Sequence, residues 1–452
     1  MSDGEPSGAT PRARGLTCVE AVLARTSGRG NADAPLPGEI VEVMPDFAFS
    51  HDNTAAIAAI WRELGQERVA IAERLAVTFD HAVPAPTPRH ALNHAEARRF
   101  AQEQGIRHLF EVGRGICHQV LGEEALVLPG QLVLGADSHT PHFGWMGAMG
   151  VGIGRTEMAA VWALGSIWLR VPESIEIRFD GEPSPWVDAK DLALWVLGLL
   201  GAEGGSYRSV ELRGTAVARL SLAERATLAN MMAELGAKCA FVEPDDAVFE
   251  YLAERLARRT GCGHDEAAAM ARAGAVFPDP DASYAERHAL DVSALEPQVA
   301  CPHAVDRTVS VTTLHDVRVD QAFLGTCTNG RLEDLEAARR VVRGRRVAKG
   351  TRFVVIPASS EVLEAGVASG AVADLLAAGA VLGTPGCGPC MGNHQGVLAP
   401  GEVCVSSGNR NYRGRMGTKE AEIYLASPAV VAASAIAGRI AHPAEVCAGD
   451  TP

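Results

Sequence analysis

The 452-residue chain has no excess of positive charge: 41 Lys and Arg stand against 55 Asp and Glu, a formal net charge of −14. That balance excludes a basic face of the kind that binds nucleic acid non-specifically or adheres to anionic membrane. Small anionic substrates remain open to it where local arginines overcome the global field. The chain also lacks the charged-then-apolar opening of a signal peptide. MSDGEPSGATPRARG is polar and rich in Pro, Gly and Ser, and reads as a disordered tail over residues 1–15. It has no apolar run of membrane-spanning length, since LASPAVVAASAIAG is too short and too interrupted. The expected location is therefore cytoplasmic, with no membrane and no nucleic-acid partner. No internal repeat is visible, and the glycine run GWMGAMGVGIG lacks the spacing and the ribose-binding acid of a dinucleotide fingerprint.

What is present is a chain long enough for two or three cores. Short β-branched runs (EIVEVMPD, LAVTFDH, QLVLGAD, ESIEIRFDG, SVELRG, QAFLGTC, TRFVVIPAS) alternate with helical stretches such as TAAIAAIWRELG, TEMAAVWALGSIWL, AERATLANMMAELGA and GRLEDLEAARRVVRG. Strand followed by helix, many times over, predicts an α/β protein built on largely parallel sheets. Turn-rich stretches near FDGEPSPWVDAKD and between Phe277 and Pro302 suggest divisions at residues 16–175, 176–300 and 301–452. Asp80-His81, Asp137-Ser138-His139 and Cys327-Thr328-Asn329 each follow a predicted strand. Carboxyl ends of parallel strands are where open α/β sheets place their sites, so a cleft between domains is expected.

Ten cysteines without a secretory signal read as reduced thiols rather than a disulfide framework. Seven stand singly and read as packed thiols. Cys327, Cys387 and Cys390 are different: GTPGCGPCMGNH carries two of them in a glycine and proline turn, and FLGTCTNGR carries the third. A redox pair, a zinc site completed by His394 and a three-cysteine iron–sulfur cluster all fit that pattern. Arg410, Arg413 and Arg415 in SSGNRNYRGRMG would form a carboxylate clamp beside a cleft.

ADSHT with its glycine run, GTCTNGR, PGCGPCMG and SGNRNYRGR, in that order, resemble the aconitase superfamily, and in particular the large subunits of 3-isopropylmalate dehydratase and homoaconitase. SHDNTA, FDHAVPAPT, GICHQV and LANMMAELGAK extend the likeness over nearly the whole chain. The resemblance implies three α/β/α domains around a central cleft, without a C-terminal swivel domain. It implies a 4Fe-4S cluster held by Cys327, Cys387 and Cys390, with Asn230 and Asn409 lining it. It pairs Asp80 with His81, Asp137 with His118 and Glu234 with His139, His81 being the acid for the departing hydroxyl. Asp52, Ser138, Arg410 and Arg415 are the implied substrate contacts.

The implied activity is dehydration and rehydration of a substituted malate, with 2-isopropylmalate to 3-isopropylmalate in leucine biosynthesis placed first. Homoaconitase, 2,3-dimethylmalate dehydratase or a specialised malate isomerase are alternatives. An iron-sensing RNA-binding protein is the alternative from another class. In single-chain relatives a swivelling domain supplies a serine base and a further arginine, so a separate small subunit is expected here, with a dicarboxylate or tricarboxylate as substrate. Pro141, His142, Phe143, Trp145 and Arg155 depart from the dehydratase pattern.

Overall fold

The computed structural model describes residues 14–448. The predicted tail lies outside the described residues except for Arg14 and Gly15, and Gly15 forms a parallel bridge with Ala282. Four sheets carry the fold, and the two largest place the site. The first is five-stranded and wholly parallel, in the spatial order His108–Phe110, Leu75–Thr78, Phe47–Ser50, Leu132–Gly135, Met149–Gly152. The second is seven-stranded. Its parallel part runs Glu422–Leu425, Val403–Ser406, Gln321–Leu324, Arg352–Val355, Val381–Leu382, and Gln298–Ala300 and Thr308–Ser310 extend it antiparallel.

Counted along the chain, both parallel sets have the order 3-2-1-4-5. Strand order therefore reverses beside the first strand of each, and a crevice opens at the carboxyl ends there. In the five-stranded sheet that crevice lies between Phe47–Ser50 and Leu132–Gly135. In the seven-stranded sheet it lies between Gln321–Leu324 and Val403–Ser406. This topological likeness leaves no repeat in the sequence, because strand order is set by which elements cross over and not by which residues fill them. A four-stranded parallel sheet of Cys239–Val242, Ser209–Arg213, Ser174–Asp180 and Glu286–Asp291 packs beside them. One continuous apolar core joins all three, running through Phe49, Phe143, Met231, Ala240, Phe323 and Ile356.

The expected strands are present, all but EIVEVMPD in parallel sheets, with two further differences. TEMAAVWALGSIWL is not one helix: Arg155–Leu164 stops at Gly165, whose φ of 77° ends the turn, and Ile167–Arg170 continues as a strand paired antiparallel with Ile40–Val43. The central strand Phe47–Ser50 was not anticipated. Every residue in it is buried, so the two-residue alternation that betrays a half-exposed strand is missing. Among the described residues no helix is long and apolar enough to cross a membrane.

The loops of the two crevices are stitched together by backbone bonds that bury no side chain. Cys387 N–H donates to the Asp80 carbonyl at 2.7 Å, and Ile116 N–H to Ala358 at 2.8 Å. The first bond needs Gly386, since a Cβ there would lie 2.8 Å from the same Asp80 oxygen. Lys190, on the helix Ala189–Leu200, ties that helix to the second crevice through its side chain: fully buried, it donates to the carbonyls of Ser407 and Gly408 at 2.8 and 2.5 Å. Burial pulls its pKa down to about 8, against the neighbouring Asp188 and Asp191 charges. Lys190→Met keeps the volume but strands both carbonyls, so equilibrium denaturation of this variant is expected to lose about 2 kcal/mol or more of stability.

Candidate active site

Cys327, Cys387 and Cys390 line one cavity of about 250 Å³ together with His81, His118, Asp137, Ser138, His139, Asn409, Arg410 and Arg415. Four of its walls come from the carboxyl ends of the strands described above. His51 follows Phe47–Ser50, His81 follows Leu75–Thr78, Asp137 to His139 follow Leu132–Gly135, and Cys327 follows Gln321–Leu324. Thr326, just before the cysteine, has a φ of 81°. For a β-branched residue that is a strained backbone, costing about 1–3 kcal/mol, and such strain persists only where the surroundings overdetermine it.

Asp80 is fully buried, and its two oxygens are spoken for. Oδ1 lies 2.6 Å from His81 Nδ1, and Oδ2 accepts the Cys117 N–H at 2.7 Å. Burial lowers the pKa of His81, but the Asp80 charge and hydrogen bonds to Asp137 and Asp80 override it and hold the ring well above an ordinary imidazole. His51 stacks on His81 with centroids 4.0 Å apart. Burial, with His81 adding repulsion, pulls its pKa down to about 4, opposite in direction to its stacking partner.

Asp137 sits among three imidazoles. His118 Nε2 is 3.4 Å away, His81 Nε2 3.6 Å and His139 Nδ1 3.7 Å, and the His139 N–H donates to it at 2.8 Å. Against burial, which raises it, the neighbouring imidazoles of His118, His139 and His81 hold this carboxyl well below the usual range. Glu234, 95 residues away along the chain, meets His139 Nε2 at 2.8 Å. It also accepts from Arg410 Nε at 2.7 Å and from the Tyr412 hydroxyl at 3.3 Å.

The thiols are buried and surrounded by N–H donors. Asn230 and Asn409 point Nδ2 at Cys327 Sγ, at 3.2 and 3.4 Å, and Arg415 Nη2 points at Cys390 Sγ at 3.3 Å. Thr328 fixes the Asn230 amide by donating to Oδ1 at 3.1 Å. A hydrogen bond from Cys387, with the Arg415 charge in support, holds Cys390 well below an ordinary thiol. Among the described residues the three sulfurs form no set with every ligand atom within 4.8 Å of the others. His394, the candidate fourth zinc ligand, turns its Nε2 to the Val83 carbonyl instead and does not line the cavity.

The structure therefore brings together the residues that the family likeness implies, except one; His394 and Arg413 do not line the cavity either. Asp52 faces away from the cavity: its oxygens accept the N–H groups of Asp80, His81 and Ala82, at 2.9, 2.8 and 3.2 Å, and contact His94 Nε2 at 2.7 Å. It holds the Asp80-His81 loop and presents no free oxygen to a substrate. His51, Asn53 and Met391 line the cavity and were not singled out. For His51 the signal was available, since it stands at a strand end like the other site residues.

Glu234→Gln removes the charge that faces His139 while keeping a hydrogen-bonding shape. The pH midpoint of the His139 ring, followed by NMR titration, is expected to fall by about one pH unit or more.

The profile of the aconitase family (aconitate hydratase) matches residues 31–315 and 307–438. The chain is 48% identical over 451 residues to "3-isopropylmalate dehydratase large subunit 1" of Deinococcus radiodurans, covering 99% of this chain and 98% of that one. It is 46% identical over 402 residues to "Probable methanogen homoaconitase large subunit" of Methanosarcina mazei, covering 89% of this chain and 99% of that one. It is also 46% identical over 435 residues to "Homoaconitase large subunit" of Thermus thermophilus, covering 96% and 98%. With its sheets, cysteines and acid–imidazole pairs in place and these likenesses spanning nearly its whole length, the chain belongs to the aconitase family.

Proposed function

We propose that this chain is the large subunit of a hydro-lyase that isomerises a substituted malate by dehydration and rehydration, 2-isopropylmalate to 3-isopropylmalate being the first reaction to assign. The observation that carries the reading is the convergence of three thiols, three carboxylate–imidazole pairs and two arginines on one cavity. The names of the relatives support the substrate class, and homocitrate-derived acids are the second reading because homoaconitase large subunits stand among them.

The sulfurs fit a polynuclear group better than a single ion. One zinc ion needs four ligands drawn close together, whereas each sulfur of a cluster binds its own iron. The N–H donors aimed at Cys327 and Cys390 suit thiolates that carry such a group. Bound to Cys327, Cys387 and Cys390, a 4Fe-4S cluster would supply a Lewis-acidic iron with a position free of protein ligands.

The remaining chemistry falls to the chain's own side chains. Arg410 and Arg415 hold the substrate carboxylates, and Ser138, exposed at the cavity wall, adds a hydroxyl contact. Loss of a proton beside a carboxylate builds negative charge, and the guanidiniums stabilise it where it develops. His81, kept protonated by Asp80, gives its proton to the departing hydroxyl so that it leaves as water. His139, held at Nε2 by Glu234, keeps a fixed tautomer beside that site, and His118 stands 3.4 Å from Asp137. The abstracting base and a further arginine are assigned to a separate small subunit, which the names of the relatives support.

Anaerobic iron and sulfide analysis tests the reading: about four of each per chain are expected, with turnover of 2-isopropylmalate or homocitrate only when the small subunit is added. Zinc in place of iron would overturn it. Cys387→Ser is expected to lose iron while circular dichroism and thermal unfolding stay close to wild type. Activity that needs a protonated His81 is lost as pH rises through its raised midpoint. Asp80→Asn removes the charge that raises it, so the alkaline limb of kcat is expected to move to lower pH. An unmoved limb would assign the acid elsewhere.

A further inference from the structure

A second cavity of about 710 Å³ adjoins the catalytic one, and the two share Asn53 and Arg155 in their walls. Its lining comes from the helix Thr54–Glu63, the helix Pro88–Gln104, Arg155 at the start of Arg155–Leu164, and Asn393 beside the cysteine loop. Three guanidiniums, of Arg62, Arg89 and Arg155, face two carboxylates, of Asp52 and Glu96.

Both carboxylates are already engaged. Asp52 is turned to backbone N–H groups and His94, and Glu96 is paired with Arg62 at 2.7 Å and with Arg99. Glu157, two residues beyond Arg155, caps its own helix through the Gly154 N–H at 2.6 Å and does not line the groove. Arg89 and Arg155, by contrast, have no hydrogen-bond or ion-pair partner among the described residues, and both are exposed. The arginines inside the catalytic cavity differ, since Arg410 is held by Glu234 and Arg415 by Cys390. The uncompensated positive charge of this region therefore stands in the groove and on the wall between the two cavities.

A chain of net charge −14 repels an anion at long range. A polycarboxylate reaches a buried site on such a protein only if a local positive field takes over within about one Debye length, roughly 8–10 Å at moderate salt. We propose that the groove is an antechamber for the anionic substrate: a dicarboxylate or tricarboxylate first meets Arg89 and Arg155 there, then passes over Arg155 to Arg410 and Arg415. The identity of the anion as a substituted malate rests on the hydro-lyase reading. The steering role rests on the charge arrangement alone. Arg155, which departs from the dehydratase pattern in the sequence, gains a function by it.

The test uses the cluster-loaded chain with its small subunit, and compares wild type with Arg89→Glu, Arg155→Glu and Arg155→Lys over ionic strengths from about 20 to 500 mM. At low salt each charge reversal is expected to lower kcat/KM about three- to tenfold, with little change in kcat for Arg89→Glu, which lies outside the catalytic cavity, and the deficit is expected to close as salt rises. Arg155→Lys is expected to stay near wild type, because steering needs charge and not a planar fork. A loss independent of salt, a loss in kcat for Arg89→Glu, or Arg155→Lys behaving like Arg155→Glu would overturn the proposal. So would failure of the reversed variants to bind the small subunit by size exclusion, which would make the groove a subunit contact.

If wild type turns over no substituted malate or homocitrate, the hydro-lyase reading fails, and the groove is then tested on the chain alone by NMR line broadening of tricarballylate. Salt-sensitive broadening that is lost in the Arg89→Glu, Arg155→Glu double variant upholds the antechamber. Broadening that survives in the double variant overturns it.

Discussion

The site is organised by the cost of burying carboxylates. Asp80 and Glu234 are removed from water, and Asp137 lies among buried rings. A buried carboxylate without partners would take up a proton or force the cavity open. Each one here is met by an imidazole, and His81 and His139 gain a raised affinity for a proton in return. Asp52 serves the same network from behind, holding the backbone of residues 80–82 so that His81 meets Asp80 and not solvent. The groups share partners, with Asp137 touching three rings and Glu234 joining His139 to Arg410, so a change at one is felt by the others.

That network and the thiols meet only because two sheets of the same strand order present their crevices to one cavity. Neither crevice is complete by itself. One carries the acid–imidazole groups and the other carries Cys327 and the Asn409–Arg410 turn. Bonds without side chains hold them in register, above all Cys387 N–H to the Asp80 carbonyl, which passes through the space Gly386 leaves empty. The positive φ of Thr326 shows where the match costs strain, at the residue before the Cys327 thiol.

Local and global electrostatics run in opposite directions. The chain is strongly acidic, yet the cavity and its neighbouring groove concentrate guanidiniums whose counter-charges lie inside the protein or, for Arg89 and Arg155, are absent among the described residues. Arg410 is oriented before any ligand arrives, because Glu234 fixes its Nε side and leaves the rest of the fork free. Such preorganisation limits the entropy that a bound carboxylate must remove.

Much of the site was legible in the residues themselves. Asp80-His81, Asp137-Ser138-His139 and Cys327 stand directly after short apolar strands, and strand ends in parallel sheets are where sites collect. The cysteine turns announced metal or redox chemistry by composition alone. Pairings across the chain were not legible from spacing: nothing local ties Glu234 to His139, 95 positions away, and only the likeness to a family named that pair. The inward or outward turn of Asp52 was equally hidden, since a carboxylate at a strand end serves a substrate or its own backbone according to where three N–H groups fall. The strand Phe47–Ser50 escaped notice because full burial erases alternation. The sequence by itself determined the α/β class, the acidic surface and the chemical inventory, because these follow from local pattern and composition. Only the tertiary structure decided which groups share a proton, which sulfurs share a cavity and which arginines stand unpaired at its edge, because those depend on distances that crossover topology sets and residue order does not.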